Sequence, residues 1–210
     1  MSALVVVSLL ASCAAPPIPR SDAPLTPLLT PGSFDGWKVS DDVWSWQDDV
    51  LACNAWSARR SSALERLTPL PQFELQCEFR LERGSGWTLE VVANEQNARG
   101  FLLGFAEGGG AMSAPMPSKH DVDALMDGSP EVAGRLAKLA GRPVVRQGAF
   151  VPGDWTTLKV ISSGCDAWVL IGDEQFAYWS EDGVRGACNL CIRVEADTHV
   201  EFRDIVMRAL

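Results

Sequence analysis

The segment from Phe73 to Glu82, FELQCEFRLE, constrains the fold more than any other part of the chain. Apolar residues occupy every second position of this segment, and Glu, Gln and Arg side chains fill the positions between them. Successive side chains of a β-strand point to opposite faces, so this spacing predicts a strand with one buried and one solvated face. The segment therefore predicts a sheet that covers a hydrophobic core on one side.

Further short strands are predicted before and after this segment. They alternate apolar and polar residues, or are apolar throughout, and Gly- and Asp-bearing turns separate them. Many short antiparallel strands are typical of a β-sandwich, so we predict an all-β jelly roll of two antiparallel sheets. The predicted strands fall within 43–47, 50–54, 73–82, 87–94, 100–106, 155–164, 167–179, 188–196 and 199–210.

A segment at about 107–147 lacks this alternation and is interpreted as an insertion. Within it, Ser129 fits the N-cap of a helix, Pro130 the first helical position, and Gly141 the end. We therefore predict one short helix lying on the sandwich. Long excursions from a compact β-domain commonly carry function, so the insertion is expected to set specificity.

The N-terminal residues predict export. Residues 1–12 carry no charged side chain and are mostly apolar, but they are too few to span a bilayer. They are interpreted as a lipoprotein-type signal peptide, because the run from Leu10 to Cys13 resembles the box in which Cys13 becomes the lipidated first residue. The alternative is an ordinary cleavage site near Ala15. Residues 13–32 then form a Pro-rich tether and 33–210 the domain, placed in the cell envelope on the periplasmic or cell-surface side and attached to the membrane by its lipid.

Charge and cysteine spacing argue against two kinds of function. The chain has a formal charge of −9 and no run of Lys or Arg, which argues against nucleic-acid binding. Cys188 and Cys191 have the spacing of half a zinc site or of a redox motif. With only two His in the chain and no second Cys pair of this spacing, they are better interpreted as small buried residues. An exported chain permits disulfides, but the spacing assigns no pairs.

Several segments together resemble the 3-keto-disaccharide hydrolase family. They are FDGWKV, W-x-x-x-D-D-V-L, FELQCEFRLERGSGW, VPGDWTTLKV, VLIGDEQF and VEFRDIVMRAL, in this order from about Phe34 onward. The resemblance implies a concanavalin-A-like jelly roll, often exported, that acts on sugars oxidised at the 3-position. Two polar motifs of the family are missing: Gly84 stands where Asn is common, and Leu102 and Gly104 replace the Glu and Gln of Gly-x-Glu-x-Gln.

Cleavage of a 3-keto-glycoside requires a base for the C2 proton and an acid for the leaving oxygen, and a divalent cation is an optional aid that polarises the ketone. Glu78 and Arg80 on the polar face of their strand, Glu90 on that of the next, and Glu107 at the start of the insertion are the candidates. The alternative for a Glu-x-Arg pair on a strand is an ordinary cross-strand ion pair.

His120 is the histidine assigned to a functional role, and His199, at a strand entry, is interpreted as structural. Within the sequence KHDVD, His120 offers two chemistries. It is a ligand for a divalent cation together with Asp121 or Asp123, or a base near neutral pH. A solvent-exposed loop without function is the simpler alternative.

The eight tryptophans divide into core and surface candidates. The family resemblance implies that Trp37 in FDGW and Trp155 in PGDW are core positions. Burial is the default for a large apolar side chain, so the hairpin pair Trp44 and Trp46 is also predicted to face the core. Those near strand ends and turns are the candidates for stacking against a sugar. The predicted stacking residues are Trp56, Trp87 and Trp179.

The leading functional hypothesis is an exported domain that handles carbohydrate, as a hydrolase or lyase of 3-keto-glycosides. The alternative is a binding or interaction module without catalytic activity on the same scaffold. Loss of the family's Asn, Glu and Gln favours the binding module. The insertion, which supplies Glu107 and His120, favours the enzyme.

Overall fold

The predicted all-β sandwich is confirmed by the computed structural model, which describes residues 16–93, 100–116, 143–164, 166–180 and 187–210. In the described residues, two antiparallel sheets of eight and seven strands contain nearly all regular structure. Sheet A comprises β1 (Thr26–Pro27), β3 (Trp44–Gln47), β4 (Val50–Asn54), β6 (Phe73–Arg83), β11 (Thr156–Ser163), β12 (Asp166–Ile171), β13 (Glu174–Trp179) and β15 (His199–Ala209).

Sheet B packs against sheet A through the apolar faces of both. The strands of sheet B are β2 (Trp37–Val39), β5 (Ser62–Arg66), β7 (Gly86–Ala93), β8 (Gly100–Ala106), β9 (Gly110–Met116), β10 (Val144–Arg146) and β14 (Cys188–Val194). They follow the order β10-β9-β8-β7-β14-β5-β2, and α1 (Ala55–Ala58) follows β4 of sheet A.

Strand β6 has the face assignment that its alternation predicts. It lies in the middle of sheet A between β11 and β15, with Leu75 opposite Val160 of β11 and Met207 of β15. Every apolar residue of the predicted inner face is buried. These residues are Phe73, Leu75, Cys77, Phe79 and Leu81.

Trp87 is a core residue, and the prediction that it stacks on a sugar is wrong. Its side chain is 2% exposed. The ring stacks on Phe105 at a centroid distance of 4.5 Å, and it meets Phe79 at 5.0 Å and Phe202 at 4.8 Å. The reason is periodicity: Trp87 shares the inner face of β7 with the buried Leu89, two positions along the strand.

The other tryptophans predicted to face inward do so with one exception. Trp37 and Trp44 are buried, and Trp46 is partly buried against the core. Trp155 is instead half-buried, with the guanidinium groups of Arg80 and Arg203 over its ring at 4.8 and 4.2 Å from the centroid. The register of β11 and β6 pairs Thr156 with Phe79, which places the preceding residue beside Arg80 on the outer face of sheet A.

The segment before residue 33 packs on the sandwich instead of forming the extended tether that its prolines suggested. Strand β1 pairs with β15, and Leu28 and Leu29 are buried in the core at 7% and 5% exposure. The amide of Leu28 donates to the carbonyl of Ile205 at 2.9 Å. At residue 16, the carbonyl of Pro16 accepts a hydrogen bond from the indole of Trp168 at 3.2 Å. Proline is compatible with such an edge strand, because an edge position leaves one backbone N–H without a role in the ladder.

The predicted insertion contains strands at both of its ends. Strand β9 continues sheet B from β8, and β10 pairs with β9, with Val145 opposite Met112. The helix predicted from Pro130, together with His120, lies outside the described residues, as do the predicted signal peptide and Cys13. The part of the chain that the structure describes contains no helix with the length and hydrophobicity to cross a membrane.

Candidate functional site

A groove of about 490 Å³ opens on the outer face of sheet B. We call it the sheet-B groove. Its floor crosses β7, β8, β9 and β10, and its rim includes the turn that precedes β7. The residues that line it include Ser85, Thr88, Gly104, Glu107, Met112, Val145, Gln147 and Glu195.

Strand register and one glycine explain the floor of the groove. Thr88 lies opposite Gly104, Gly104 opposite Met112, and Met112 opposite Val145, so these residues form one row on the outer face. A Cβ on Gly104 would lie 3.6 Å from Met112 Cε and 3.9 Å from Thr88 Cγ2, which is ordinary van der Waals contact. The groove is open at this point because Gly104 has no side chain. Gly104 is also the position at which the resemblance to the 3-keto-disaccharide hydrolase family implies Gln.

Glu107 and Glu195, two acidic residues of the groove, both hydrogen-bond through their backbone amides to the turn at Ser85 and Gly86. The amide of Glu107 donates to the carbonyl of Ser85 at 3.3 Å, and the amide of Glu195 donates to the carbonyl of the adjacent Gly86 at 3.1 Å. Neither carboxylate forms an ion pair with a described residue. Glu107 was predicted from the sequence, whereas Glu195 was not, because a single Glu at a strand end has no pattern that distinguishes it from a solvated side chain.

A second concavity of about 340 Å³ adjoins the groove at the end of the sandwich. We call it the Trp56 depression, and Trp56, Arg59, Ala196 and Asp197 line it. Trp56 is 47% exposed, consistent with the prediction that it can stack on a ligand. Its backbone amide donates to the carbonyl of Thr198 at 3.0 Å, which ties the α1 turn to the loop after β14.

The Ser85–Asp197 pair separates the two concavities. Asp197 accepts hydrogen bonds from the Ser85 hydroxyl at 2.7 Å and from the Ser85 amide at 3.1 Å. Because these donors stabilise the carboxylate, the pKa of Asp197 lies below its usual range. Ser85 lines the groove and Asp197 lines the depression, so one ligand with several rings could contact both.

The structure does not bring the sequence-predicted catalytic residues together. Glu78 and Arg80 lie on the outer face of sheet A, whereas Glu90 lies on β7 of sheet B and Glu107 in the turn that follows β8. Packed sheets are separated by roughly 10 Å, so Glu78 and Glu90 point away from each other across the whole sandwich. His120 lies outside the described residues. A single catalytic centre built on Glu78 and Glu90 is therefore wrong.

Three of these predicted residues form ion pairs instead. Glu78 accepts from Arg203 at 2.5 Å, Glu90 accepts from Arg193 at 3.0 Å, and Arg80 pairs with Glu201. The hydrogen bond to Glu201 raises the pKa of Arg80, and the one to Glu90 raises the pKa of Arg193. These contacts match the alternative of a cross-strand ion pair and not that of a catalytic acid or base.

The remaining residues considered for ligand or metal binding are Trp179 and the two cysteines Cys188 and Cys191. Trp179 is partly buried, and its indole donates to the hydroxyl of Ser113 at 2.9 Å, so its N–H already has a protein partner. Cys188 and Cys191 are both buried, but three positions apart in a strand place them on opposite faces. Among the described residues, no group of three or more His, Cys, Asp and Glu side chains could hold a metal ion.

No family model matches the chain, and no curated protein matches it. Solved structures with a similar fold include the carbohydrate-binding module CBM66 from Bacillus subtilis, with 11% identity over 83% of this chain and 96% of that chain and a TM-score of 0.57. The exoplasmic/lumenal domain of VIP36, in its Ca²⁺- and Man3GlcNAc-bound form, has 12% identity over 90% of this chain and 91% of that chain, with a TM-score of 0.60. Bacillus licheniformis β-glucanase has 4% identity over 84% and 93%, with a TM-score of 0.56.

These likenesses confirm the predicted concanavalin-A-like jelly roll. At such low identities they show the fold alone, because one fold hosts many functions. Membership of the 3-keto-disaccharide hydrolase family stays a prediction.

Proposed function

We propose that the chain is a carbohydrate-binding domain that holds a sugar in the sheet-B groove. The observation that carries this proposal is the row from Thr88 to Val145, where Gly104 leaves an open floor beside two carboxylates that have no ion pair with a described residue. The solved structures of similar fold include proteins whose names state a carbohydrate ligand or substrate, which supports the same class of ligand.

The groove offers a sugar both kinds of contact that it requires. Met112 and Val145 are 37% and 58% exposed and present apolar surface to the C–H face of a pyranose ring. Glu107, Glu195 and Gln147 line the same groove and present acceptors, and in Gln147 also a donor, to its hydroxyl groups. Apolar walls with a few polar groups are the usual composition of a small-molecule site.

Filling the floor of the groove tests this proposal. Gly104→Val adds two methyl groups beyond a Cβ that already fits, and a β-branched residue suits a strand. We expect affinity for the best ligand of an oligosaccharide panel to fall by about tenfold or more, since a blocked site loses contacts and shape complementarity. The matched control is Ala114→Val, which adds the same methyl groups one row away, opposite Leu102. Equal affinity of the two variants and the parent would refute the groove as the site.

Cleavage of 3-keto-glycosides is the second candidate, and the Glu107 and Glu195 pair favours it. One carboxylate would remove the C2 proton, and the other, protonated, would donate to the glycosidic oxygen as the C1–O bond breaks and a C1=C2 double bond forms. Water adds to C1 in a later step. Both groups lie in the groove and lack an ion-pair partner among the described residues, unlike Glu78 and Glu90.

Turnover distinguishes the two candidates. The full chain is assayed against 3-keto-glucosides and their unoxidised parents, with and without added divalent cations. If it is an enzyme, Glu107→Gln and Glu195→Gln each lower the rate by about 100-fold or more. Glu65→Gln, which removes an exposed ion pair with Lys38, is the control on the same sheet and leaves the rate unchanged. Saturable binding without turnover assigns the chain to the non-catalytic module.

Export and lipid anchoring at Cys13 belong to the same proposal. The support is the apolar stretch before Cys13 and the box that ends there. Membrane fractionation of the full chain and of Cys13→Ala tests it. Unchanged processing and unchanged membrane association in the variant would refute the anchor without affecting the groove.

A further inference from the structure

We infer that the Trp56 depression is a subsite for an anionic sugar, one that carries a carboxylate or a sulfate on its ring. This inference rests on the proposed carbohydrate-binding function and adds a ligand class and a second contact region to it. Two observations carry it: an exposed indole, and two guanidinium groups that have no carboxylate partner among the described residues.

The first observation is the ring itself. Trp56 is 47% exposed although the guanidinium of Arg83 lies 4.6 Å from its ring centroid. Large aromatic side chains are normally buried, so an exposed ring beside a concavity is informative. The C–H face of a pyranose can pack against the part of the ring that Arg83 leaves open.

The second observation concerns two guanidinium groups near the ring, those of Arg59 and Arg83. Arg59 lines the depression and Arg83 lies over the indole, and neither has a carboxylate within 4.0 Å among the described residues. Most other Lys and Arg side chains in the described residues have such a partner. Arg60, the residue next to Arg59, is engaged by Asp41 and Asp42 at 3.4 and 3.1 Å. In a chain of formal charge −9, two guanidinium groups without a carboxylate partner beside one exposed ring are a local exception.

The backbone around Arg59 is fixed. Arg59 caps the C-terminus of α1 in a left-handed conformation, with φ of 52°, and its amide donates to the carbonyl of Ala55 at 3.0 Å. At the other end of the turn, the Asn54 side chain accepts from the amide of Ser57 at 3.3 Å. Only the Arg59 side chain has to order when a ligand binds, which limits the entropy cost of binding.

Among the described residues that line the depression, Asp197 is the acidic one, and its charge opposes an anionic ligand. Its carboxylate accepts hydrogen bonds from the Ser85 hydroxyl and amide. These donors leave the negative charge of Asp197 in place, and the guanidinium groups of Arg59 and Arg83 outnumber it, so the charge around the exposed ring is net positive. Guanidinium groups bind carboxylate and sulfate oxygens through paired N–H donors, so the depression selects an anionic ring over a neutral one.

The experiment compares ligands that differ only in charge. Binding of oligogalacturonate and of its fully methyl-esterified form to the full chain is measured by calorimetry at low and high ionic strength. Sulfated and unsulfated dextran oligosaccharides form a second pair, which distinguishes a carboxylate from a sulfate ligand. At low salt we expect the anionic member of at least one pair to bind about threefold to tenfold more tightly, as for one exposed charge-assisted contact. The preference should shrink at high salt.

Variants locate the preference on the protein. Arg59→Gln should abolish it, Arg59→Lys should restore part of it, and Arg60→Gln, whose guanidinium is already paired, should leave it intact. Trp56→Ala should weaken the charged and the neutral member alike. Equal affinity for both members of both pairs would overturn the inference, as would equal effects of Arg59→Gln and Arg60→Gln.

The groove variant keeps the two proposals apart. If Gly104→Val removes neutral-sugar binding and no ligand pair shows a charge preference, the proposed function stands and the anionic subsite is refuted. If Gly104→Val changes nothing while Arg59→Gln abolishes the preference, the groove is refuted and the subsite stands.

Discussion

Replacing Leu28 with Ala should destabilise the domain, although the sequence places Leu28 in a Pro-rich segment with no periodic pattern. Leu28 is 7% exposed, and its carbonyl accepts the indole N–H of Trp37 at 3.4 Å. Together with Leu75 and Phe202 it borders a small apolar cavity of about 20 Å³. Truncation would enlarge a space that is already incompletely filled.

The magnitude follows from burial. Truncating a buried leucine to alanine costs about 2–5 kcal/mol, and the lower half of this range applies because Leu28 lies near the edge of the sandwich. We therefore expect a loss of about 2–3 kcal/mol in the free energy of unfolding. For a domain of this size, that corresponds to a fall of roughly 5–10 °C in Tm.

The assay is urea unfolding of the full chain, followed by tryptophan fluorescence. The matched control is Leu25→Ala in the same segment, because Leu25 is 39% exposed and its truncation should cost less than about 0.5 kcal/mol. If residues 16–32 were a free tether in solution, both variants would match the parent. A loss below about 0.5 kcal/mol for Leu28→Ala would refute the reasoning and return the segment to the role of a spacer.

Three further predictions concern stability. Glu74→Ala should lower the free energy of unfolding in urea by about 3 kcal/mol, because Glu74 is 3% exposed and its removal leaves Lys159 and Arg208 without this partner. Glu65→Ala, which removes an exposed ion pair with Lys38, is the control and should cost less than about 1 kcal/mol. Burial raises the pKa of Cys53 and of Cys77 from 9.0 to about 12. The native state therefore retains protons that unfolded thiols release above about pH 9. The free energy of unfolding should fall above this pH by roughly 1 kcal/mol per pH unit for each thiol. If the Cys53→Ala, Cys77→Ala double variant showed the same dependence of unfolding free energy on pH, this prediction would be contradicted. Thr88→Val should leave the unfolding free energy within about 0.5 kcal/mol of the parent or raise it, since the Thr88 hydroxyl has no hydrogen-bond partner among the described residues; a loss above about 1 kcal/mol would count against it.

The fold could be predicted from the sequence wherever alternation is strict. Each residue of the inner face of β6 was assigned correctly, because in a strand with one solvated face the apolar residues at every second position show which face is buried. The N-terminal segment could not be assigned in this way. Its prolines interrupt any alternation of apolar and polar residues. Leu28 is buried only because β1 pairs with β15, whose residues lie about 180 positions later in the chain.

Aromatic residues near strand ends were predicted less well, for a related reason. Trp87 and Trp155 each lie at the start of a strand, and composition does not distinguish them. The face of β7 that carries Trp87 is inner, while the register of β11 with β6 places Trp155 on the outer face beside Arg80. Register is a property of two strands, and one segment alone does not contain it.

The candidate site depended even more on long-range pairing. Glu107 was found because it opens a segment without alternation, whereas Glu195 and Asp197 lie in a short turn with no motif. They become groove and depression residues only because the loop after β14 hydrogen-bonds to the turn before β7, through the Gly86 carbonyl and the Ser85 side chain. These contacts join positions more than 100 residues apart. The resemblance described in the sequence analysis implied an amide at the position of Gly104, and in the structure this position forms the open floor of the groove.

The outer faces of the two sheets differ in what their charged side chains can do. On sheet A, Glu78 pairs with Arg203, Arg80 with Glu201 and Glu74 with Arg208, so the polar positions of β6 and β15 neutralise one another. Such ladders hold strands in register, and they leave few donors or acceptors for a ligand. Sheet B also has ion pairs, Glu90 with Arg193 and Glu65 with Lys38. In its groove, however, Glu107 and Glu195 have no ion pair with a described residue, and the adjoining depression adds Arg59. Glu107, Glu195 and Arg59 therefore keep donors and acceptors that a ligand can use, which is why the sheet-B groove and the Trp56 depression are the proposed sites for a sugar.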